Sequence, residues 1–158
     1  MGTPVKLSEI MEAMEWLPDE ASSFLNRKTG EIIGVSDEEF RIAEEEQPQE
    51  EYPEWQRELI AIAREILEDE ENKFIPLPSR FEIDEYSMME RFVLSVNDEE
   101  IFDSLYAAIK GKGAFRRFSN GIRRFGIEGD WERYRKEKFK ELAIEWCEDN
   151  NIDYIDDL

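Results

Sequence analysis

The sequence predicts an α+β fold that is mostly helical. The predicted fold is a single domain over 1–158. It has about six helices, a small β-hairpin near the N-terminus and a short extended segment at 74–78. Apolar residues recur at helical spacing in several windows. Two short apolar runs flank a polar loop that ends in glycine, which is typical of a hairpin. The 158 residues, 41% of them hydrophobic, are enough to bury a core without disulfides or metals.

The N-terminal half is predicted to hold the hairpin between helices. The first helix carries its apolar residues at helical spacing, at Leu7, Ile10, Met11, Met14 and Leu17. Pro18 then ends the pattern. In the hairpin, a turn at 26–30 joins the two apolar runs, and Gly30 supplies a positive φ. Helices are also expected over 37–45 and 54–70, and the apolar face of the second comprises Trp55, Leu59, Ile62, Ala63 and Ile66.

Two acidic segments are predicted to lie outside the core. The stretch 44–54, EEEQPQEEYPE, is interpreted as an exposed connector within the domain, because neither side is large enough to fold well alone. An acidic C-terminal tail begins at residue 149. Between them, FIPLP at 74–78 contains two prolines, which confine it to a sheet edge or to a non-strand segment.

The remainder of the chain is predicted to be helical. Ser79 and Glu82 resemble a capping box, and the helix that follows begins there or nearer Asp84. Asn97 with Glu100 predicts the N-cap of the next helix. The inward residues of that helix are Ile101, Phe102, Leu105, Ala108 and Ile109. A last long helix runs from Trp131 to about residue 148.

The segment KGKGAFRRFSNGIRRFG, residues 110–126, concentrates positive charge in an acidic chain. The chain has 20 Lys and Arg against 40 Asp and Glu, whereas this segment has six basic residues and no acidic one. As a helix it places Phe115, Phe118, Ile122 and Phe125 on one face, as core residues, and its arginines in two rows. The candidate anion- or partner-binding residues are Lys110, Lys112, Arg116, Arg117, Arg123 and Arg124.

Two interpretations of these basic residues compete. The arginines could pair with carboxylates of the same chain, which is the favoured interpretation because arginine forks suit such pairs. Alternatively, Gly111 and Gly113 could let backbone N–H groups approach a phosphate, with the basic side chains adding charge. The two interpretations differ most at Arg117 and Arg124, the arginines farthest from the aromatic face, which point to solvent only under the second one.

Three blocks of the sequence carry a resemblance to a known family. They are FLNRKTGEII at 24–33, LPSRFEIDEYSMMERFV at 77–93 and AIKGKGAFRRFSNGIRRFGIEGDWERYR at 108–135. Together, in this order, they resemble the bacterial group called uncharacterised protein family 0158, over about residues 7–150. The resemblance implies a small cytoplasmic domain and brings no activity, cofactor or catalytic residue to carry over.

Composition narrows the classes of function. With no histidine, the chain lacks the usual general base and zinc ligand, so no catalytic residue, metal site or cofactor is predicted. The single cysteine, Cys147, is expected to be a buried thiol and suggests a reducing compartment. No apolar run has the length of a membrane span, and the N-terminus does not resemble a signal peptide. A cytoplasmic protein with no membrane partner is therefore expected.

Three hypotheses for function follow. The leading one is a non-enzymatic binding or regulatory module whose acidic surface takes a basic protein or peptide. The second is a binder of nucleic acid or a phosphate ligand through the basic 110–124 segment. A minor third hypothesis is a carboxylate- and Mg²⁺-dependent hydrolase, for which Asp84, Glu85 and Glu90 are the candidate carboxylates. The favoured explanation is structural: Asp84 and Glu85 are interpreted as first-turn residues favoured by the helix dipole, and a carboxylate cluster in so acidic a sequence has little specificity.

Overall fold

Residues 3–16, 20–45 and 51–158 are described by the structure, a computed structural model, and they fall into two units. The mixed unit comprises Met1–Ser79 and Ala143–Leu158, and the helical unit comprises Arg80–Leu142. The α+β class, dominated by helices, is confirmed. Leu17 and Pro18, which were expected to end the first helix, lie outside the described residues.

The hairpin of the mixed unit is confirmed. Strand β2, Ala21–Asn26, pairs antiparallel with β3, Ile32–Ser36, with Phe24 opposite Ile33. Gly30 has φ +75° in the turn, as predicted. The side chain of Asn26 accepts hydrogen bonds from the backbone N–H groups of Lys28 and Thr29 at 3.0 and 3.3 Å, which closes the turn. The hairpin therefore follows from local turn chemistry.

Strand β4, Phe74–Pro76, extends this sheet on the other side of β2, giving the order β3-β2-β4. It is an edge strand, one of the two alternatives that the prolines of 74–78 allowed. Asp69 lies in the segment before β4, and its carboxylate accepts hydrogen bonds from the backbone N–H groups of Glu71, Lys73 and Phe74. These bonds, that to Phe74 above all, hold the pKa of Asp69 below its ordinary value. Trp146 donates its indole N–H to the Pro76 carbonyl at 3.0 Å, which further anchors the edge.

The acidic C-terminal segment, predicted as a tail, ends in a strand. Strand β5, Tyr154–Ile155, pairs in parallel with β1, Val5–Lys6. Ile152 is buried, and the Asp157 carboxylate accepts hydrogen bonds from the backbone N–H and hydroxyl of Ser8. Residues from the two ends of the chain thus meet in one small sheet.

Three helices complete the N-terminal part of the mixed unit: α1, Leu7–Glu15, α2, Asp37–Glu45, and α3, Glu54–Leu67. Helix α1 buries four of its predicted apolar residues, and α2 has the predicted bounds. The predicted face of α3 is wrong at Trp55, which is 62% exposed, and it omits Ile60, which is buried together with the predicted Ala63. Their partners include Val35, Ile42 and Ala43.

The connector predicted at 44–54 is described only at its ends. Glu44 and Glu45 are exposed residues of α2, Glu51 is exposed, and α3 begins at Glu54. Residues 46–50 lie outside the described residues.

The helical unit begins with a short helix, α4, Arg80–Ile83, followed by α5, Glu85–Leu94. Between them Asp84 has φ +48° and caps α5 by accepting from the Ser87 backbone N–H. Helix α6 spans Glu99–Ala108. The predicted N-cap of α6 is wrong by one residue, because Asp98 accepts from the Ile101 N–H in place of Asn97.

Helices α7, Ala114–Arg124, and α8, Glu128–Asp149, follow. The core of the helical unit includes Met89, Phe92 and Leu105 from α5 and α6, with Phe118 and Ile122 from α7. Gly121 permits close packing here, since a Cβ at that position would lie 2.7 Å from a methyl carbon of Leu105. The predicted aromatic face of α7 is wrong at Phe115, which is 49% exposed.

Candidate functional site

The loop between α6 and α7 is organised by Arg117. Its guanidinium donates to three backbone carbonyls, from Nε to Ala108 at 2.9 Å and from the two Nη atoms to Lys112 and Lys110 at 2.5 Å each. The hydroxyl of Tyr86 donates a hydrogen bond to a fourth carbonyl of the same loop, that of Ile109, at 2.8 Å. Arginine near a helix C-terminus commonly binds such unpaired carbonyls. Arg117 therefore has backbone partners, which neither interpretation of the sequence anticipated.

Gly113 lets this arrangement form. It has φ +79°, a conformation that other residues rarely adopt, and a Cβ at this position would lie 3.0 Å from Nη1 of Arg117. The glycine thus allows both the turn into α7 and the approach of the guanidinium to the loop.

The other basic candidates remain at the surface. Arg123 lies 3.8 Å from Glu128, measured from Nε to Oε2, Lys110 lies 4.3 Å above the Tyr106 ring, and Arg124 lies 5.4 Å from the Phe125 ring centre. Among the described residues, Lys112, Arg116 and Arg124 have no carboxylate partner. Arg41, Arg57 and Lys136 also have none among these residues, so the segment is distinguished by how many cations it concentrates and not by their lack of partners.

Exposed aromatic side chains accompany these cations. Phe115 contacts Tyr86 edge to face, with ring centres 6.4 Å apart, and both rings are partly exposed. Tyr106 is also partly exposed, but its ring stacks on Phe102 at 5.5 Å and is covered by Lys110. Phe115 and Tyr86 are therefore the aromatic rings available beside the cations.

The net charge is divided between the two units. The helical unit has 13 Lys and Arg and 13 Asp and Glu, so it is neutral, whereas the mixed unit has 7 basic and 27 acidic residues and carries the whole net charge of −20. Long-range attraction of cationic partners is accordingly a property of the mixed unit.

A groove in the mixed unit was missed by the sequence analysis. It has a volume of about 620 Å³ and lies between α1 and the hairpin turn. One side of α1 contributes residues at spacings of three, four and seven, namely Glu9, Glu12, Ala13 and Trp16. The turn contributes Thr29, Gly30, Glu31 and Ile32. The periodicity of α1 could have indicated that Glu9, Glu12 and Ala13 share one side of the helix, but not that a hairpin turn lies opposite them.

The groove is acidic and has an exposed indole. Trp16 is 78% exposed, which is unusual for so large an apolar side chain. The three glutamates are exposed, and within the described residues none of them forms an ion pair. The groove therefore offers an aromatic face and three uncompensated negative charges to a ligand.

The carboxylates expected near the start of α5 have local partners. Asp84 accepts from both the hydroxyl and the N–H of Ser87, and these bonds lower the pKa of its carboxyl group. Glu85 pairs with Arg135 at 2.9 Å, and Glu90 is exposed. Across the described residues, no group of three or more acidic or cysteine side chains could hold a metal ion. None of the helices within those residues is long and apolar enough to cross a membrane.

Cys147 is fully buried on α8, as predicted, and burial together with the charge of Glu148 raises the pKa of its thiol from 9.0 to about 11. At pH 8 the thiolate fraction in the native protein should then be roughly 100-fold lower than in the unfolded chain. We expect a disulfide reagent such as DTNB to label the native protein at least about 100-fold more slowly than the protein unfolded in urea. Rapid native labelling would contradict this assignment.

Comparison with known proteins agrees with the resemblance found in the sequence. A curated relative, "UPF0158 protein PA5073" from Pseudomonas aeruginosa, is 25% identical over 88 residues, which cover 55% of this chain and 58% of that protein. No solved structure matches the chain. Residues 3–157 match the family described as Uncharacterised protein family (UPF0158). Since this match spans nearly the whole sequence, the chain belongs to the UPF0158 family.

Proposed function

We propose that the protein is a binding module whose groove between α1 and the hairpin turn takes a Lys- or Arg-rich segment of a partner protein. The observation that carries this proposal is the combination of an exposed Trp16 with three unpaired glutamates, Glu9, Glu12 and Glu31, around one groove. A cationic side chain placed over an indole gains roughly 0.5–1 kcal/mol at an exposed site. Neighbouring carboxylates add Coulombic attraction to the same ligand.

The form of the groove favours a peptide segment over a small molecule. It is open to solvent and shallow, so it would leave much of a small ligand exposed. An extended segment with spaced cations can contact the carboxylates of α1 and that of the turn together, while the negative charge of the mixed unit speeds its encounter.

Binding of a fluorescein-labelled Lys- and Arg-rich peptide, followed by fluorescence polarisation at about 50 mM salt, tests this proposal. Replacing Glu9, Glu12 and Glu31 together by Gln should weaken binding about tenfold, because each removes a surface attraction of up to about 1 kcal/mol. The change Trp16→Ala should weaken it roughly two- to fivefold.

Matched controls separate the groove from general acidity. Replacing the exposed Glu38, Glu58 and Glu65 by Gln removes the same charge from the same unit, and Trp55→Ala removes another exposed indole. Both controls should bind the peptide within about twofold of the wild type. If they weaken binding as much as the groove variants do, the peptide responds to net charge alone and the proposal fails.

A further inference from the structure

The basic face of α7, in the helical unit, is another surface with unpaired charged groups. At about 100° per residue, the solvent side of α7 runs from Phe115 through Arg116 and Arg123 to Arg124. The buried Phe118 and Ile122 lie outside this arc, with Ile122 next to Phe115 at its border. Lys112 adds a further exposed cation from the loop before the helix. This exposed side therefore presents an aromatic ring at one border and a band of cations beside it.

The cations on this face are available to an external anion. Lys112, Arg116 and Arg124 have no carboxylate partner among the described residues, and Arg123 has one contact at 3.8 Å with a partly exposed Glu128. Surface ion pairs of that kind contribute little, so Arg123 can exchange its partner at small cost. Arg116 and Arg123 lie seven residues apart, which spaces them by about 10 Å along the helix axis. Such a row suits a ligand with several phosphates better than a single one.

The aromatic border distinguishes between kinds of polyanion. Phe115 was expected in the core, but it is half exposed and is supported from the side by the ring of Tyr86. Tyr86 is held in turn by its hydrogen bond to the Ile109 carbonyl. An exposed ring next to arginines is what proteins use to stack an unpaired base while neighbouring cations hold the phosphates. An acidic peptide would use the cations and leave the ring without a role.

We propose that this face, formed by Lys112, Phe115, Arg116, Arg123 and Arg124, binds single-stranded nucleic acid, with phosphates on the cations and a base against Phe115. The site lies in a different unit from the proposed peptide groove and takes a ligand of opposite charge. The neutrality of the helical unit matters here, because that unit itself adds no net repulsion of phosphates. At about 0.1 M salt, charges beyond roughly 10 Å are largely screened, so the local cations decide the interaction.

The test uses the full chain and a 5′-fluorescein-labelled single strand of about 15 nucleotides, with fluorescence polarisation at 50, 100 and 200 mM KCl. The variant with Lys112, Arg116 and Arg124 replaced by Ala should bind about tenfold more weakly at 50 mM KCl. Its slope of log affinity against log salt should be flatter by about 2, since each lost phosphate contact on a single strand contributes about 0.7. Phe115→Ala should weaken binding about tenfold with an unchanged slope.

Controls in the same unit make the result specific. Replacing Arg133, Lys136 and Lys138 of α8 by Ala removes the same charge elsewhere, and Phe81→Ala removes a ring that is 93% exposed on α4. Both should bind within about twofold of the wild type. Circular dichroism should show each variant folded, because the replaced side chains are exposed or, at Lys138, partly exposed.

Several results would overturn the proposal. The first is that the wild type does not bind the strand, and the second is that the α8 control loses as much affinity as the variant of the face. The third is that a duplex binds as tightly as the single strand, since paired bases cannot stack on Phe115. Displacement of the strand by polyglutamate at equal charge would assign the face to acidic peptides. Displacement by inorganic phosphate at about 1 mM would assign it to a small phosphate ligand. None of these outcomes depends on the peptide groove, whose residues all remain intact.

Discussion

Replacing Phe118 by Ala should lower the free energy of unfolding of the helical unit by about 3–5 kcal/mol, the usual cost of removing a buried phenylalanine. The side chain is 2% exposed. Its ring lies 4.9 Å from that of Trp131 and 6.1 Å from that of Phe92, both edge to face. The cavity left by the substitution would therefore remove aromatic contacts in addition to buried apolar area.

Phe115→Ala is the matched control, because it makes the same chemical change on the same helix at a position that is half exposed. It should cost less than about 1 kcal/mol. Urea unfolding followed by circular dichroism gives the overall loss, and hydrogen exchange of the amides in 80–142 shows which unit loses it. Equal losses in the two variants, or a loss confined to the mixed unit, would contradict the assignment of Phe118 to this core.

The elements that could be predicted from the sequence are those decided by nearby residues. The turn at 26–30 has Gly30 where a positive φ is needed, and the prolines at 74–78 allow only a sheet edge, which the structure has, or a non-strand segment. Helix α2 has its predicted bounds because its acidic first turn and apolar positions agree. In each case the backbone conformation and the burial pattern have the same local cause.

Where a face ends could not be predicted, because that depends on which other elements cover it. Trp55 and Phe115 both belong to apolar stripes by spacing, yet both lie beyond the area covered in the structure. Each stripe also contained residues that do form the core, Ala63 and Phe118. A helical wheel shows the direction of burial, whereas the neighbouring helices set its extent.

The candidate binding surfaces were also predictable only in part, because one lies within a single segment and the other is formed by two segments. The concentration of positive charge at 110–126 is visible in the sequence, but only the structure shows that Arg117 binds backbone carbonyls while Lys112, Arg116 and Arg124 are exposed. The groove between α1 and the hairpin turn was not visible, since Glu31 is 15 residues beyond Trp16 and only the fold brings both to one site. A surface within one segment can thus be recognised from sequence, while a surface shared by two segments requires the structure.

Replacing Arg117 by Met should destabilise the helical unit by about 1–3 kcal/mol, although the side chain is exposed. Methionine keeps the apolar length of the side chain and removes its donors. The carbonyls of Ala108, Lys110 and Lys112 would then lose a charged partner, and the loop would lose the bonds that hold it against α7. Because water can hydrogen-bond to these exposed carbonyls in the variant, the loss of stability should be smaller than that of removing three buried hydrogen bonds.

Arg116→Met is the matched control, since Arg116 is the adjacent exposed arginine of the same helix and has no carboxylate partner among the described residues. It should change the free energy of unfolding by no more than about 0.5 kcal/mol, as is usual for exposed sites. Arg117→Lys should recover less than half of the loss, because one ammonium group cannot reach the three carbonyls that the planar guanidinium contacts. If Arg117→Met proves as neutral as Arg116→Met, or if lysine restores full stability, Arg117 acts only as a surface charge. It would then belong with the cations of the nucleic-acid face.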